Sequence, residues 1–477
     1  MNQLTVRQRK IVYTLVIVLL LVPIIFLGYP ATRSGGGGAR GLLAQSREKN
    51  DLGETSLGDV DPTSATMNLV LLGMRGVAAS VLWSKADEYK DKKNFTQLEQ
   101  TVESIILLQP HFKSVWRFQA WNLAYNVSTE CDAVADRYYW VKRGAKFMKR
   151  GVARNRLVPE LYFDMGTTLG NKLGNADEKE TYRKFFRVDP DVATWNNGPD
   201  RDINPDDKDN YMVARDWYLD ANKVLEKKGV EQHVMDVSLF IAYPYRSLIS
   251  YAQITQKDGV KGDLDSMTPD QIKTAYQEWA KNVGSIWDQA YDEWTNIYGR
   301  QKFMSAGFGM LVLENDEAGL KELEEIGKQE NVSFEQKRDW QDRYRKMTSY
   351  PYWKLHCDIE KRETMTQARY HLAEGRRLYR EVQDFDGARV NLQMGLAELA
   401  QVMREYQVSA DTNLVIADEE EIIEEALKAL IIWQHVMELL GQPLPANYPL
   451  KELWEFPELQ HKREELIIRF QQWNGTL

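Results

Sequence analysis

The chain has 477 residues, 43% of them hydrophobic, with 14 Trp and 23 Tyr, which is material for two or three packed domains. A formal net charge of −9 argues against wholesale attraction to nucleic acid or anionic lipid. Two cysteines, Cys131 and Cys357, exclude a small disulfide-dense scaffold, although an exported chain could join them.

Residues 11–27 read IVYTLVIVLLLVPIIFL, without a charge, and follow Arg7, Arg9 and Lys10 in a basic segment, 1–10. At about 1.5 Å per residue this run is at the short end of what crosses a ~30 Å hydrocarbon layer, and Gly28 and Tyr29 extend it. Pro23 is tolerable in lipid. The basic leading side predicts a cytoplasmic N-terminus, with the bulk of the chain beyond the membrane. A cleaved signal peptide is the competing reading. Its apolar run would be about 7–15 residues ending in a small-x-small site, and Gly28 to Arg33 offers no clean one. The expectation is a single-pass signal anchor at 11–29. The next most apolar stretch, Met67 to Trp83, is interrupted by Arg75. Residues 30–66 predict a flexible linker, with Ser34 and Gly35 to Gly38 as its joint.

From residue 67 helical spacing dominates and strand alternation is hard to find. Thr268-Pro269-Asp270-Gln271 is a capping box with Pro at the first helical position. Apolar residues from Ile272 through Trp279, Val283, Trp287 and Trp294 to Tyr298 follow in steps of three and four, and Gly299 marks a stop. Residues 193–212 predict a polar loop, Met212 to Lys228 a helix, and Phe240 and Tyr251 an apolar pair separated at Pro244. A looser connector spans 303–349, with an acidic helix from Glu314 to Gln329. The remaining region, 350–477, holds a hairpin from Arg369 to Tyr406, a helix from Asp418 to Leu440, a loop from Pro443 to Pro457 and a closing helix from His461 to Trp473.

A repeated spacing runs through these helices. Leu82, Ala86, Tyr89, Leu98, Val102, Ile105 and Pro110 share their offsets with Tyr162, Gly166, Leu169, Glu178, Tyr182, Phe185 and Pro190. Leu372, Arg376, Tyr379, Ala388, Leu392 and Gly395 match the first six. Trp116, Ala120 and Leu123 begin another first helix, followed by a long second one through Trp140, Gly144, Met148 and Gly151. This pattern resembles the tetratricopeptide repeat, in which a small residue lets two helices approach, an aromatic fills the groove and Pro closes the unit. Leu98, Glu178 and Arg376 stand where small residues belong, and Ala400 where Pro belongs. The array is therefore degenerate. Anchor, Gly linker and Trp-rich hairpins together resemble membrane-anchored repeat proteins of bacteria. That resemblance implies an all-α, TPR-like helical-hairpin solenoid, its repeats in 67–302 and 350–477, held to the cell inner membrane with its bulk periplasmic.

Catalytic motifs are missing from the sequence. Gly166 to Lys172 has the wrong spacing for a phosphate-binding loop, and no G-x-S-x-G, H-E-x-x-H or C-x-x-C occurs. His356, Cys357 and Glu360 could share a helix face as metal ligands, but a buried Cys beside a surface His is the blander account. Asp200, Asp202, Asn204 and Asp206 alternate like calcium ligands, yet Pro205 and Tyr211 stand where an EF-hand needs Gly and Glu. The segment Arg137 to Arg156 is basic throughout, and Asp189 to Asp209 holds seven Asp. Either these complement each other between repeats, or Lys142, Arg143, Lys146, Lys149, Arg150 and Arg154 form an anion- or partner-binding patch. Trp116, Trp121, Tyr138, Tyr139, Trp140, Trp279, Trp287 and Trp294 read mainly as core, with sugar stacking as the alternative. The sequence thus reads as a non-catalytic scaffold without cofactor or metal, binding a protein or peptide rather than nucleic acid. A glycan or solute receptor with a Trp-lined hollow is the competing class.

Overall fold

The computed structural model describes residues 75–260, 262, 264–406 and 420–472, together with Val16 and Leu19. Apart from those two residues, the expected anchor and linker lie outside the described residues. Among the described residues no helix is long and apolar enough to cross a membrane. The chain falls into two compact units, residues 1–235 and 236–477. Both are built almost wholly from helices.

In the first unit, α1 (Arg75–Asp91) and α2 (Phe95–Leu108) form a hairpin whose turn ends at Asn94, which caps α2 by accepting the Gln97 N–H at 3.3 Å. Of the seven residues that carry the first repeat, Ala86, Leu98, Val102 and Ile105 are buried, and Leu82, Tyr89 and Pro110 are half-buried. The next pair is α3 (Lys113–Trp121), which runs on into a π turn (Asn122–Val127), and α4 (Val134–Arg154). Glycines let these two backbones meet. A Cβ on Gly144 would come 2.7 Å from the Ala120 carbonyl oxygen, and one on Gly151 would come 2.9 Å from the Trp116 ring.

The second repeat pairs differently from its spacing. Its first helix is α5 (Pro159–Thr167), extended by a π turn (Thr168–Lys172) and a further turn to Asn175. The 34-residue pattern assigns it to α6 (Lys179–Arg187). Instead α6 packs on α4, with the Tyr182 and Tyr138 rings 6.0 Å apart and the Tyr138 hydroxyl donating to the Phe185 carbonyl at 3.2 Å. The close partner of α5 is α7 (Asn210–Leu225), which follows the Asp-rich loop. Gly166, Gly170 and Gly174 lie one turn apart and face Tyr218, Ala214 and Tyr211 in antiparallel order. Three missing side chains make a smooth stripe that accepts two tyrosine rings. The nine-residue α6 turns its own rings the other way, Tyr182 and Phe185 both lying against Tyr138 of α4.

The second unit opens with α8 (Val237–Asp258), one continuous helix carrying Pro244 inside it, where the sequence suggested a break. Its neighbour α9 (Pro269–Asp292) begins at the expected capping box and ends in a π turn (Glu293–Tyr298) before Gly299. Trp287, Trp294 and Tyr298 are fully buried. The Trp294 N–H donates to the Tyr350 carbonyl at 3.1 Å and the Tyr298 hydroxyl to the Ser238 carbonyl at 2.9 Å.

Residues 303–349, read from sequence as a looser connector, are densely tied. A hairpin of β1 (Phe303–Ser305) and β2 (Gly309–Leu311) sets Phe303 opposite Leu311. α10 (Glu317–Glu330) and α11 (Phe334–Met347) follow. From α11 the fully buried Lys337 donates to the Phe308 and Met310 carbonyls at 2.9 and 3.0 Å. One turn on, Gln341 donates to the Val312 and Glu314 carbonyls at 3.0 and 3.1 Å, and then Arg345 to the Leu313 carbonyl at 2.7 Å. Three side chains on one helix face thus supply the donors that an adjacent strand would supply, and the hairpin's open edge is closed.

α12 (Tyr350–Glu360) leads to the third repeat, α13 (Glu363–Arg377) with a π turn (Leu378–Val382) and α14 (Phe385–Glu405). The helices cross where a Cβ on Gly395 would come 2.8 Å from Leu372 and one on Gly375 2.7 Å from Leu392. The small position belongs to Gly375, one residue before Arg376, and Arg376 donates outward to Glu425 at 2.6 Å. α15 (Glu420–Leu439), α16 (Lys451–Glu455) and α17 (Gln460–Gln472) complete an apolar core that includes Leu372, Leu392, Leu427 and Trp433.

Two outcomes test this packing. Gly144→Ala gains helix propensity but drives a methyl into the Ala120 backbone, so a net loss of about 1–3 kcal/mol is expected in urea denaturation. The second concerns pH. Hydrogen bonds from Lys337 and from the Met310 N–H hold the Glu330 carboxyl below its ordinary value. Burial opposes the charge on Glu314, but Lys354 and Tyr350 outweigh it and its pKa is also depressed. Depressed carboxylates stabilise the fold above their unfolded pKa, about 4.5, and that contribution is lost as pH falls through the lower folded value. The melting temperature of the wild type should therefore drop below about pH 4.5, and Glu314→Gln should flatten the drop.

Candidate functional site

The basic face proposed on α4 is engaged on both of its flanks. On one side the Lys142 ammonium lies 2.8 Å from Asp189 and 3.2 Å from Asp200, both fully buried carboxylates. Lys146 sits 2.8 Å from both Asp200 and Asp202, and Lys149 donates to the Asp202 carbonyl at 2.6 Å. Burial disfavours the charge on Lys146, but its bonds to Asp200 and Asp202 prevail and raise its pKa. On the other side Arg143 pairs with Glu99, and Arg150 reaches Glu103 of α2 with two bonds of 2.7 and 2.9 Å. Lys149 and Arg154 make no ion pair among the described residues, Lys149 being held by the carbonyl bond alone. The Arg154 guanidinium lies 5.9 Å from the Trp116 ring centre, and burial together with Arg150 holds its pKa below the arginine range. The basic helix is a clasp joining the hairpin before it to the acidic loop after it.

The oxygens of that loop have partners of their own. The Asp202 N–H donates to Asp200 at 3.0 Å. Asn204 donates to the Phe186 and Lys208 carbonyls and accepts the Lys208 N–H at 2.9 Å. Among the described residues no group of three or more His, Cys, Asp and Glu is placed to hold a metal ion. His356 is buried with its ring 5.1 Å from that of Trp287, and Glu360 accepts from Arg369 at 2.5 Å. Cys131 and Cys357 are not joined in a disulfide.

A different surface appears where the first helices of two pairs lie side by side. Lys113 meets Glu160 at 2.7 Å and Arg117 pairs with Asp164. Two turns further along, the Lys172 ammonium stands 4.9 Å from the centre of the Tyr125 ring. Each contact spans the same sequence separation, so α3 and α5 run in register as a ladder. Burial raises the Asp164 pKa against the pull of Arg117. At the ladder's end the two π turns bring Trp121, Tyr125 and Lys172 together. Trp121 stacks on Tyr125, with centroids 6.0 Å apart and planes 18° from parallel, and remains 49% exposed. Lys172 makes no ion pair among the described residues, and desolvation lowers its pKa. An open aromatic slab beside an unneutralised ammonium suits a ligand with a flat or apolar group and an acidic one.

Trp121 was grouped with the core aromatics on sequence grounds. Trp116, Tyr138, Trp287 and Trp294 are buried, whereas Trp121 and Tyr139 are exposed. The available signal was its position. Trp121 stands four residues after Arg117 and four before Tyr125, on the polar stripe of α3 rather than the Trp116 and Ala120 stripe. Comparison with protein-family models, with curated proteins and with solved structures finds no match to the chain.

The clasp gives a graded expectation. Lys142→Met leaves Asp189 buried without its cation and should cost about 3–5 kcal/mol. Arg150→Ala, at an exposed pair, should cost under about 1 kcal/mol. Chemical denaturation of both variants checks the order.

Proposed function

We propose that this protein is a non-catalytic helical-repeat scaffold of tetratricopeptide-like design, held by a signal anchor at residues 11–29. Its folded body would stand on the periplasmic side and grip a protein or peptide partner there. The observation that supports this reading best is the slab of Trp121 and Tyr125 with Lys172 beside it, open on the side-by-side first helices. Helical repeats bind along such faces, and an ammonium that makes no ion pair favours an acidic segment carrying an apolar or aromatic side chain. Lys142, Arg143, Lys146, Lys149 and Arg150 of α4 are engaged within the fold, so the partner is assigned to the first-helix ladder instead. The same exposed indole also favours the second reading, a glycan receptor, since a sugar ring stacks on Trp.

In-cell crosslinking of the full-length protein, read by mass spectrometry, separates these. Trp121→Ala with Lys172→Glu should reduce recovery of specific crosslinked proteins about tenfold, with helical circular dichroism unchanged. Unchanged crosslinks would contradict the site. Glycan-array binding that Trp121→Ala abolishes and Lys172→Glu spares would favour the receptor. A reporter fused after Leu477 should be active only outside the cytoplasm, and activity inside would contradict the membrane orientation.

A further inference from the structure

In the second unit α9 packs against both α8 and α12, and one tryptophan touches both. The Trp287 N–H donates to the Gln256 side chain of α8 at 2.9 Å, and its ring lies 5.1 Å from that of His356 on α12. Between the same two helices Arg246 of α8 reaches Trp353 of α12, its guanidinium carbon 5.0 Å from the ring centre. The Trp353 ring is held from its own helix, by Tyr352 at 4.9 Å and His356 at 5.9 Å, both nearly perpendicular to it.

This arginine has no counterion. It is the only charged residue of α8 before Lys257. α12 carries no acid before Asp358, which accepts from the Tyr406 hydroxyl at 2.7 Å, and its Lys354 is already paired with Glu314 at 2.7 Å. Arg246 forms neither an ion pair nor a hydrogen bond among the described residues, and its nitrogens are open to solvent. The Trp353 indole N–H is likewise without an acceptor there and open to solvent. Beside them the Tyr352 ring is 37% exposed.

The chemistry of these donors selects an occupant. A guanidinium stacked on a ring keeps its N–H edges free, and a carboxylate matches that fork with two parallel bonds. One unbalanced positive charge answers one carboxylate, whereas a phosphate dianion would carry a negative charge in excess. Arg, Trp and Tyr are also the residue types that most often carry the binding energy of protein contacts.

We propose that Arg246, Trp353 and Tyr352 form a docking surface for an acidic peptide segment of a partner protein. Its Asp or Glu carboxylate takes the Arg246 fork, and an adjacent apolar side chain covers Tyr352. The surface belongs wholly to the second unit and does not rest on the Trp121 reading.

The test selects a random peptide library displayed on phage against the full-length protein in lipid nanodiscs, after depletion on protein-free discs. A parallel selection uses Arg246→Gln. Sequences that only the wild type enriches should share an Asp or Glu beside an apolar residue. The leading peptide, synthesised with a fluorophore, should bind saturably in fluorescence anisotropy. Changing its acid to the amide and Arg246→Gln should each weaken binding about tenfold, and the two together no further. Arg246→Lys keeps the charge, loses the fork and should weaken binding about fivefold. If Arg246→Gln loses its helical circular dichroism, Arg246→Lys decides. Lys172→Glu should leave the affinity unchanged. No Arg246-dependent peptide, a shared sequence without an acid, additive losses in the double change, or loss of binding in Lys172→Glu would each overturn the proposal. Enriched sequences matching residues 48–61 of this chain would make the occupant the protein itself and overturn the partner.

Discussion

Gly144 lies against the Ala120 backbone, Gly166 against the Tyr218 ring and Gly395 against Leu372. At each of these crossings one helix carries no side chain, and the other presses in a large one or its main chain. This is the constraint on which the pairs depend. A chain so rich in Trp and Tyr has large rings to place, and helices bearing rings on both facing sides would be held apart. Removing the side chain from one side turns excess bulk into close packing. A glycine in a helix interior carries an intrinsic cost of roughly 1 kcal/mol, and the contact it permits offsets that cost.

Ionic contacts then tie the pairs to one another. Two kinds are present in the first unit, and they differ in burial. Lys142 sits between two carboxylates that are out of solvent, so it fixes the Asp-rich loop where it emerges between α6 and α7. The pairs on the flank toward α2, Arg143 with Glu99 and Arg150 with Glu103, are open to water and orient more than they stabilise. A sequence that runs twenty residues with cations only is therefore compatible with an internally neutralised surface. Arg154 and Lys172, two cations in no ion pair among the described residues, both rest on aromatic rings.

Much of this was readable from residue order. The capping box at Thr268, the long aromatic helix after it, the α13 and α14 hairpin and the succession of a first helix at Trp116 by a long second one through Gly151 were all legible in residue spacing. What escaped has identifiable causes. Strands of three residues are too short to show alternation, so the hairpin at 303–311 was invisible. Lys337, Gln341 and Arg345 fell within the stretch read as a looser connector, because sequence does not reveal that a strand edge lies against them. Pro244 suggested a break, but the helix continues through it with Phe240, Leu248 and Ala252 buried around it. The choice of α7 over α6 as partner of α5 depends on Gly170 and Gly174. Both lie outside the seven positions whose spacing was compared. The exposure of Trp121 was legible from its place on the Arg117 and Tyr125 stripe of α3, a signal that residue type alone hides.

The pairing of α5 with α7 carries the account of the first unit, and cysteine chemistry reads it directly. A Cβ built on Gly170 stands 3.3 Å from the Ala214 Cβ, close to the spacing of about 3.5–4.5 Å that a disulfide uses. With Cys131 and Cys357 replaced by Ser, Gly170→Cys with Ala214→Cys should oxidise to a single bridged species on a non-reducing gel. Gly166→Cys with Tyr182→Cys, the pair that the regular repeat would bring together, should stay reduced. The opposite pattern, a bridge at 166 and 182 and none at 170 and 214, would contradict the packing described here.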